Sequence, residues 1–392
     1  MPTVHDGSII FSIFLIFTGA AVFATIALYA RQTLIIGYIL LGILAGPWGL
    51  KLISDLSLIQ DIAAVGIIFL LFLLGLNLYP QKLGALLKEA TVVTCVTSLL
   101  FAALGWGVAY GFGFAATESV IIGVATMFSS TIIGLKLLPT TVLHHRHAGE
   151  VIISVLLLQD LLAIVTLLIL HGLQRGDVPW LDVGLLLVGL PLLVAVAYLG
   201  ERFVLLKLIQ RFDKIQEYIF LLALGWCLGI AEFANFLGLS YEIGAFVAGI
   251  AVATSPISRF IAESLKPLRD FFLVMFFFAL GAGVNLSMVS EVIVPALVLT
   301  TLVLAIKPLA FKHLLIHQAE SPRLAWEIGW RLGQMSEFSL LIALAGLSAG
   351  LITPKAGYLI QLATLLTFVG SSYLIVLRYP TPIAVSERLR RD

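Results

Sequence analysis

The chain has 392 residues, of which 60% are hydrophobic and only 11% are charged. A soluble domain carries about a quarter charged residues, so this chain lacks the polar surface that a water-soluble globule of its length needs. The formal net charge of +1 gives no bulk attraction to a nucleic acid, and we expect no such partner. The composition therefore predicts an all-α polytopic protein whose main surroundings are the lipid bilayer.

A bilayer-spanning helix needs about 20 mostly apolar residues. On this criterion we predict thirteen spanning helices, at 8–30, 33–50, 58–78, 89–113, 118–138, 149–172, 181–208, 214–236, 240–256, 267–286, 291–315, 323–350 and 356–378. Several of the connections are only a few residues long, which favours a compact bundle of antiparallel neighbours.

The Lys and Arg residues of the connections predict the orientation of the chain. If the N-terminus lies outside, only Lys51, Arg175 and Lys355 fall in outer connections, and the other basic residues of the connections fall inside. The basic tail 379–392 then lies on the inner side. We therefore predict a multi-pass protein of a bacterial inner membrane, with the N-terminus outside and the C-terminus in the cytoplasm.

An odd number of helices suits two inverted six-helix repeats joined by one linker helix. The fifth helix of each repeat, 118–138 and 323–350, carries a polar interruption midway. These interruptions are Thr126–Gly134 and Arg331–Ser339, and both combine hydroxyl residues with glycine. We therefore predict that both helices are broken at these interruptions, which together form the substrate site.

Asp160 lies near the centre of the predicted helix 149–172. A carboxylate at that depth must hold a proton or pair with a cation, so a proton and a metal ion exclude each other there. Alkali cations prefer oxygen ligands, and carbonyls freed by the first break would supply some of them. The other candidate cation and proton ligands are Gln159, Ser129, Ser130 and Thr131. We expect no cofactor besides the transported ions.

Two further charged residues lie inside predicted spans. Lys307 could neutralise Asp160 in the ion-free state or act as a fixed counter-charge to helix dipoles. The alternatives are a structural pair with Asp160 or a Lys that snorkels to the interface. Glu337 lies just past the second interruption, where it could belong to the ion pathway or balance the charge of Arg331.

One sequence string resembles an enzyme motif. Gly346–Gly350 reads G-L-S-A-G, like the nucleophile elbow of a hydrolase. It falls inside a predicted helix rather than on a strand-to-helix turn, which the motif requires. An intramembrane aspartyl protease would need a second Asp as deep as Asp160. We therefore predict that the chain is not an enzyme.

An ordered series of motifs resembles a known transporter family. The series comprises Gly37–Pro47 (GYILLGILAGP), Phe128–Ile132 (FSSTI), Gln159-Asp160, Gly244–Gly249 (GAFVAG), Phe276–Gly281 (FFFALG) and Gly333–Phe338 (GQMSEF). Together they look like the membrane domain of the monovalent cation:proton antiporter-2 family, in its Kef-type potassium efflux branch.

The resemblance implies a fold, a mechanism and partners. It implies a sodium/proton antiporter-like fold with two crossed broken helices, and a homodimer in which a mobile core domain that contains these helices moves against a dimerisation domain. It also implies a cytosolic nucleotide-binding regulatory domain or subunit as a partner. We expect residues 1–392 to form one transmembrane transport domain with core and dimerisation parts interleaved, and no soluble regulatory domain in this stretch. Ser258–Pro267 lacks the histidine of glutathione-gated members, so we expect no glutathione gating.

Three functional interpretations follow. The preferred one is potassium/proton exchange by alternating access. It is predicted to be electroneutral, because Gln159 stands where electrogenic relatives of this kind have a second aspartate. The second is sodium/proton exchange, since oxygen ligands alone do not rank the two ions. The third, of another class, is a gated monovalent cation channel, which a lone midplane carboxylate disfavours.

Overall fold

The computed structural model describes residues 9–30, 32–53, 56–76, 80–137, 147–173, 180–212, 214–239, 241–255, 257–318 and 320–381, and these form helices joined mostly by short turns. In chain order the helices are α1 (Ile9–Tyr29), α2 (Leu34–Ala45), α3 (Ser57–Leu76), α4 (Pro80–Gly111), α5 (Ala116–Thr126), α6 (Thr131–Lys136), α7 (His147–Leu173), α8 (Trp180–Gly200), α9 (Leu206–Arg211), α10 (Gln216–Phe236), α11 (Tyr241–Ala253), α12 (Ser258–Ala282), α13 (Leu286–His317), α14 (Pro322–Arg331), α15 (Glu337–Ser348) and α16 (Pro354–Arg378). A π-helical turn, Glu201–Leu205, joins α8 to α9.

The thirteen predicted spans all coincide with helix in the described ranges. Two of them are broken as predicted: 118–138 is split into α5 and α6, and 323–350 into α14 and α15. The all-α fold class is thereby confirmed. Of the predicted basic tail 379–392, only the residues up to Thr381 lie within the described part.

Two helices begin well before the spans predicted on them. The helix with the span predicted at 89–113 begins at Pro80, while its apolar part, Ala90–Gly111, agrees with the prediction. The helix with the span predicted at 267–286 begins at Ser258. In the second case Ile261 and Leu265 are buried although charged residues surround them in the sequence. The helix thus continues as an amphipathic segment beyond its apolar part, and a hydropathy criterion does not detect such an extension.

Several helices have the length and surface that a bilayer requires. Among the described residues, five are long and apolar enough to cross a membrane alone: Ile9–Tyr29, Ala90–Gly111, Gln216–Phe236, Leu286–His317 and Pro354–Arg378. Large apolar side chains such as Ile10, Leu99 and Leu221 are more than 60% exposed on these helices. This surface suits contact with lipid tails rather than with water.

The chain is divided into two compact units. The first comprises Met1–Phe17, Gly42–Gly84 and His171–Gly283. Within it α3 packs closely against α11 and α12. A Cβ atom on Gly75 would lie 2.5 Å from the carbonyl oxygen of Phe246, and Phe69 stacks on Phe272 with ring centroids 5.5 Å apart. Close backbone approach at small residues is typical of helices in membranes.

The second unit comprises Thr18–Leu41, Ala85–Leu170 and Val284–Asp392, and it contains both broken helices. Here α13 packs against α14 and α16, and α15 against α16 and α5. A buried apolar cluster joins α4, α7, α13 and α14 through side chains that include Phe101, Ile152 and Phe311. Glu118 ties the start of α5 to the start of α16, because its carboxylate accepts hydrogen bonds from the Thr353 amide at 2.9 Å and hydroxyl at 2.6 Å.

Candidate functional site

The two helix breaks meet inside the second unit. Ser129 of the first break donates its hydroxyl hydrogen bond to the carbonyl of Leu332 in the second, at 2.8 Å. Gln334 of the second break donates its amide to the carbonyl of Ser130 in the first, at 3.3 Å. Ser339 donates to the carbonyl of Ala125, the residue before the end of α5. Side-chain donors therefore reach carbonyls at the ends of α14 and α5, where helices leave acceptors open, and the carbonyl of Ser130, which also accepts from the amide of Gly134 at 3.0 Å.

Each helix after a break begins with a serine cap. The Ser130 hydroxyl accepts a hydrogen bond from the amide of Ile133 at 3.1 Å, and the Ser336 hydroxyl accepts one from the amide of Phe338 at 3.2 Å. Serine is among the preferred N-cap residues because its side chain replaces a missing helical acceptor. The hydroxyl residues within the two interruptions thus explain where each helix restarts.

Asp160 lies on α7 and its residue is only 2% exposed. The hydroxyl of Thr131, the first residue of α6, lies 3.2 Å from Oδ1 and 3.1 Å from Oδ2 and donates to the carboxylate. Glu337 lies close enough for its negative charge to act on Asp160. A charged Asp160 in this position is poorly solvated and repelled by its neighbour, so a cation or a proton is needed to stabilise it.

Gln159 fixes the backbone of the first break. Its side-chain oxygen accepts from the amide of Ser129 at 3.0 Å, and its amide group donates to the carbonyl of Met127 at 3.5 Å. The Ser129 hydroxyl donates to the carbonyl of Leu332, and the Ser130 hydroxyl caps α6. Thr131 is the candidate ligand whose hydroxyl contacts the Asp160 carboxylate directly.

Lys307 bridges both breaks. Its ammonium group donates to the carbonyl of Phe128 at 2.7 Å and to the carbonyl of Gln334 at 3.2 Å. It also lies 4.8 Å from the centroid of the Phe101 ring. Both carbonyls lie in the breaks, two and three residues past the ends of α5 and α14, where a cation offsets the negative ends of those helices. Its role as a counter-charge to helix dipoles or as the partner that neutralises Asp160 stays a prediction.

Arg331 and Glu337 occupy the two sides of the second break. The guanidinium of Arg331 forms an ion pair with Glu327, one turn earlier in α14, at 2.9 Å. Glu337 is the first residue of α15, where a negative charge is favourable near the helix N-terminus. Glu327 is therefore the ion-pair partner of Arg331. Glu337 instead lies near enough to Asp160 for the two negative charges to influence each other.

Some residues of this assembly were not among the predicted ligands. Gln334 accepts from the hydroxyl of Ser371 at 2.9 Å, and the hydroxyl of Thr367 accepts from the amide of Met335 at 3.1 Å. A signal for these contacts was present in α16, where hydroxyl residues recur at helical spacing. This stripe consists of Thr364, Thr367, Ser371 and Ser372.

A sequence model of one protein family, described as sodium/hydrogen exchanger, transmembrane, matches residues 13–378. The chain belongs to the sodium/hydrogen exchanger family. The predicted resemblance to cation:proton antiporters is confirmed. This exchanger-family chain is 29% identical over 357 residues to K(+) efflux antiporter 4 of Arabidopsis thaliana. The match covers 89% of this chain and 60% of the plant protein, so the chain spans about three-fifths of the length of that relative.

Solved structures of a sodium proton antiporter share the fold. MjNhaP1 from Methanocaldococcus jannaschii at pH 8 superposes with a TM-score of 0.69 at 20% identity, covering 93% of this chain and 95% of that one. An electron-microscopy structure of the same antiporter gives 0.65 at 17% identity, with 93% and 94% covered. At these identities the likeness establishes the antiporter fold for this exchanger-family chain and nothing about its ion.

Proposed function

We propose that the chain exchanges potassium ions for protons across a membrane by alternating access. The observation that carries the proposal is the buried carboxylate of Asp160, held by Thr131 beside the meeting point of two broken helices. A proton and a metal cation compete for the same charge. If the site faces the two sides of the membrane in turn, the cation is carried in one direction and the proton in the other.

The charges around the site support a one-for-one exchange. Asp160 carries one charge, and Gln159 beside it is neutral and occupied by the backbone of the first break. The ammonium of Lys307 donates to two backbone carbonyls. One carboxylate that releases one proton to bind one monovalent cation moves no net charge, so the exchange is electroneutral.

Potassium is proposed because a relative over most of the chain carries the name K(+) efflux antiporter. The name sodium proton antiporter belongs to structures that are at most 20% identical, and these support the fold only. The ligands proposed for the cation are the oxygens of Asp160, Gln159, Ser129, Ser130 and Thr131, with Lys307 and Glu337 as supporting charges.

The proposal places the protein in the inner membrane of a bacterium, with the N-terminus outside and the C-terminus in the cytoplasm. It functions there as a homodimer, with residues 1–392 as one transport domain of interleaved core and dimerisation parts. A cytosolic regulatory domain or subunit is the proposed partner. The basis is the distribution of basic residues and the family resemblance.

The test is an exchange assay in liposomes that contain the purified protein. A pH gradient is imposed, each alkali cation is added in turn, and a proton-sensitive dye reports the internal pH. Potassium-dependent proton flux that exceeds the sodium-dependent flux supports the proposal. If only sodium drives proton flux, the transported cation is sodium and not potassium. Cation flux without any proton movement would indicate a channel.

A further inference from the structure

Arg331 is the largest fully buried side chain among the described residues. It lies at the end of α14, immediately before the second break. The exchange reaction proposed above needs the carboxylate of Asp160 but makes no use of this guanidinium. A buried charge of this size is costly unless several partners satisfy it, so its partners indicate what it does.

The guanidinium holds three separate parts of the second unit. Nε and one terminal nitrogen donate to the carboxylate of Glu327 at 3.1 and 2.9 Å. The other terminal nitrogen donates to the carbonyl of Leu137 at 2.9 Å. The nitrogen that contacts Glu327 also donates to the carbonyl of Pro380 at 2.9 Å, just beyond α16. A planar guanidinium can serve acceptors in several fixed directions at once, which a lysine ammonium cannot do in the same geometry.

The contact with Leu137 has a consequence for the cation site. Leu137 directly follows the last residue of α6, so the hydrogen bond from Arg331 to its carbonyl anchors the C-terminal end of that helix. At the other end of α6, Thr131 donates to the carboxylate of Asp160. The six residues of α6 span only about 9 Å, so an anchor at one end restricts the position of the other.

We propose that Arg331 is a positioning residue for the cation site, acting through α6. By fixing the carbonyl of Leu137 to α14 and to the segment after α16, it keeps Thr131 in place against Asp160. Loss of this anchor allows α6 to shift along its axis and separates the hydroxyl from the carboxylate. The inference rests on the proposed exchange at Asp160 and adds a residue that never touches the ion.

The test compares Arg331→Lys with Arg378→Lys in the same liposome assay. Arg378 lies at the end of α16, is exposed and stacks on Trp330, so the second variant makes the same chemical change without disturbing α6. For Arg331→Lys the half-saturating cation concentration should rise by about 10-fold or more, as is usual when an outer partner of an ion ligand is lost. The maximal rate should change much less, and Arg378→Lys should match the wild type.

Cation-dependent thermal stabilisation of the detergent-purified protein gives a second readout that does not require transport. The cation concentration at half-maximal stabilisation should rise in Arg331→Lys by the same factor as in the flux assay. A variant with lower stability but unchanged half-saturation in both assays would overturn the inference, because the guanidinium would then be a packing element only.

Two further outcomes also decide the question. If neither Arg331→Lys nor Arg331→Gln yields folded protein while Arg378→Lys does, the guanidinium serves assembly and the inference fails. If the wild-type protein shows no cation-dependent proton flux, the proposed exchange itself fails. A transporting wild type together with an Arg331→Lys variant of unchanged half-saturation contradicts only the positioning role.

Discussion

The hydrogen bond from the hydroxyl of Thr131 to the carboxylate of Asp160 joins two candidate cation ligands directly. We expect Asp160→Asn to abolish exchange, because an amide can neither release a proton nor balance a cation. Folding should be retained, since asparagine still accepts a hydrogen bond from Thr131 and no longer carries a buried charge. The measurement is cation-driven proton flux in liposomes, together with the melting temperature of the purified protein.

Asp270→Asn is the matched control for that change. Asp270 is an exposed carboxylate that pairs with its neighbour Arg269 on α12. An exposed ion pair contributes about 0–1 kcal/mol, so this variant should exchange ions and melt like the wild type. Normal flux from folded Asp160→Asn protein would remove Asp160 from the mechanism.

For Lys307 we predict a loss of stability, because its ammonium group donates to a backbone carbonyl in each of the two breaks. Lys307→Met retains most of the apolar stem beside Phe101 but removes the donor to the carbonyls of Phe128 and Gln334. Each unsatisfied buried carbonyl costs about 1–3 kcal/mol, so the variant should lose about 2–6 kcal/mol of stability. Thermal unfolding in detergent, with and without potassium, measures the loss.

The comparison variant is Lys312→Met on the same helix. Lys312 lies over the ring of Trp326 at 4.4 Å, an interaction of the kind that contributes about 0.5–1 kcal/mol at exposed sites. Its loss should therefore lower the melting temperature much less. Equal losses from the two variants would show that the carbonyl contacts of Lys307 contribute no special stability.

At the scale of the elements, the close approach of α13 and α14 positions both Lys307 and Arg331. A Cβ atom on Gly329 would lie 2.5 Å from the carbonyl oxygen and 3.1 Å from the Cα atom of Pro308. Because those atoms belong to the backbone, Gly329→Ala must push the helices apart. Overpacking of this kind costs about 1–3 kcal/mol, and exchange should fall as the breaks are displaced.

Gly225 on α10 provides the matched glycine. A Cβ atom there meets nothing within 4 Å, so alanine introduces no clash. Gly225→Ala should be neutral or stabilise by about 0.5–1 kcal/mol, since alanine favours the helix. The melting temperature and the proton flux are measured for both variants. If Gly329→Ala has the wild-type melting temperature and flux, α13 and α14 can move apart without cost.

The sequence predicted the elements well and the contacts between them poorly. Apolar length located the helices, and the hydroxyls within Thr126–Gly134 and Arg331–Ser339 located the breaks, because both signals are local. The partners of Arg331 and Ser339 could not be predicted. Their acceptors are backbone carbonyls of Leu137 and Ala125, which lie 194 and 214 residues away and have no signature of residue type.

At the scale of the whole molecule, exchange at the carboxylate of Asp160 predicts how much net charge each transport cycle moves across the membrane. Exchange of one cation for one proton moves no net charge, so an imposed membrane potential should not change the rate. Solid-supported membrane recordings on proteoliposomes should show no steady charge displacement when potassium is added. A transport current that scales with the flux measured by the proton-sensitive dye would require a different stoichiometry.

The contacts that hold the first break also impose an order on biosynthesis. Apart from those of Gln159, they come from residues 179–214 positions later in the chain, namely Lys307 on α13, Leu332 and Gln334 in the second break and Ser339 on α15. A ribosome that adds about 5–20 residues per second needs about 10–50 s to reach them. During that interval lipid cannot satisfy an open backbone at Met127–Ser130, so we expect the nascent segment to remain one uninterrupted helix. Hydrogen exchange on ribosome-stalled chains that end before Lys307 should find these amides protected, and rapid exchange there would mean that the break exists before its partners are made.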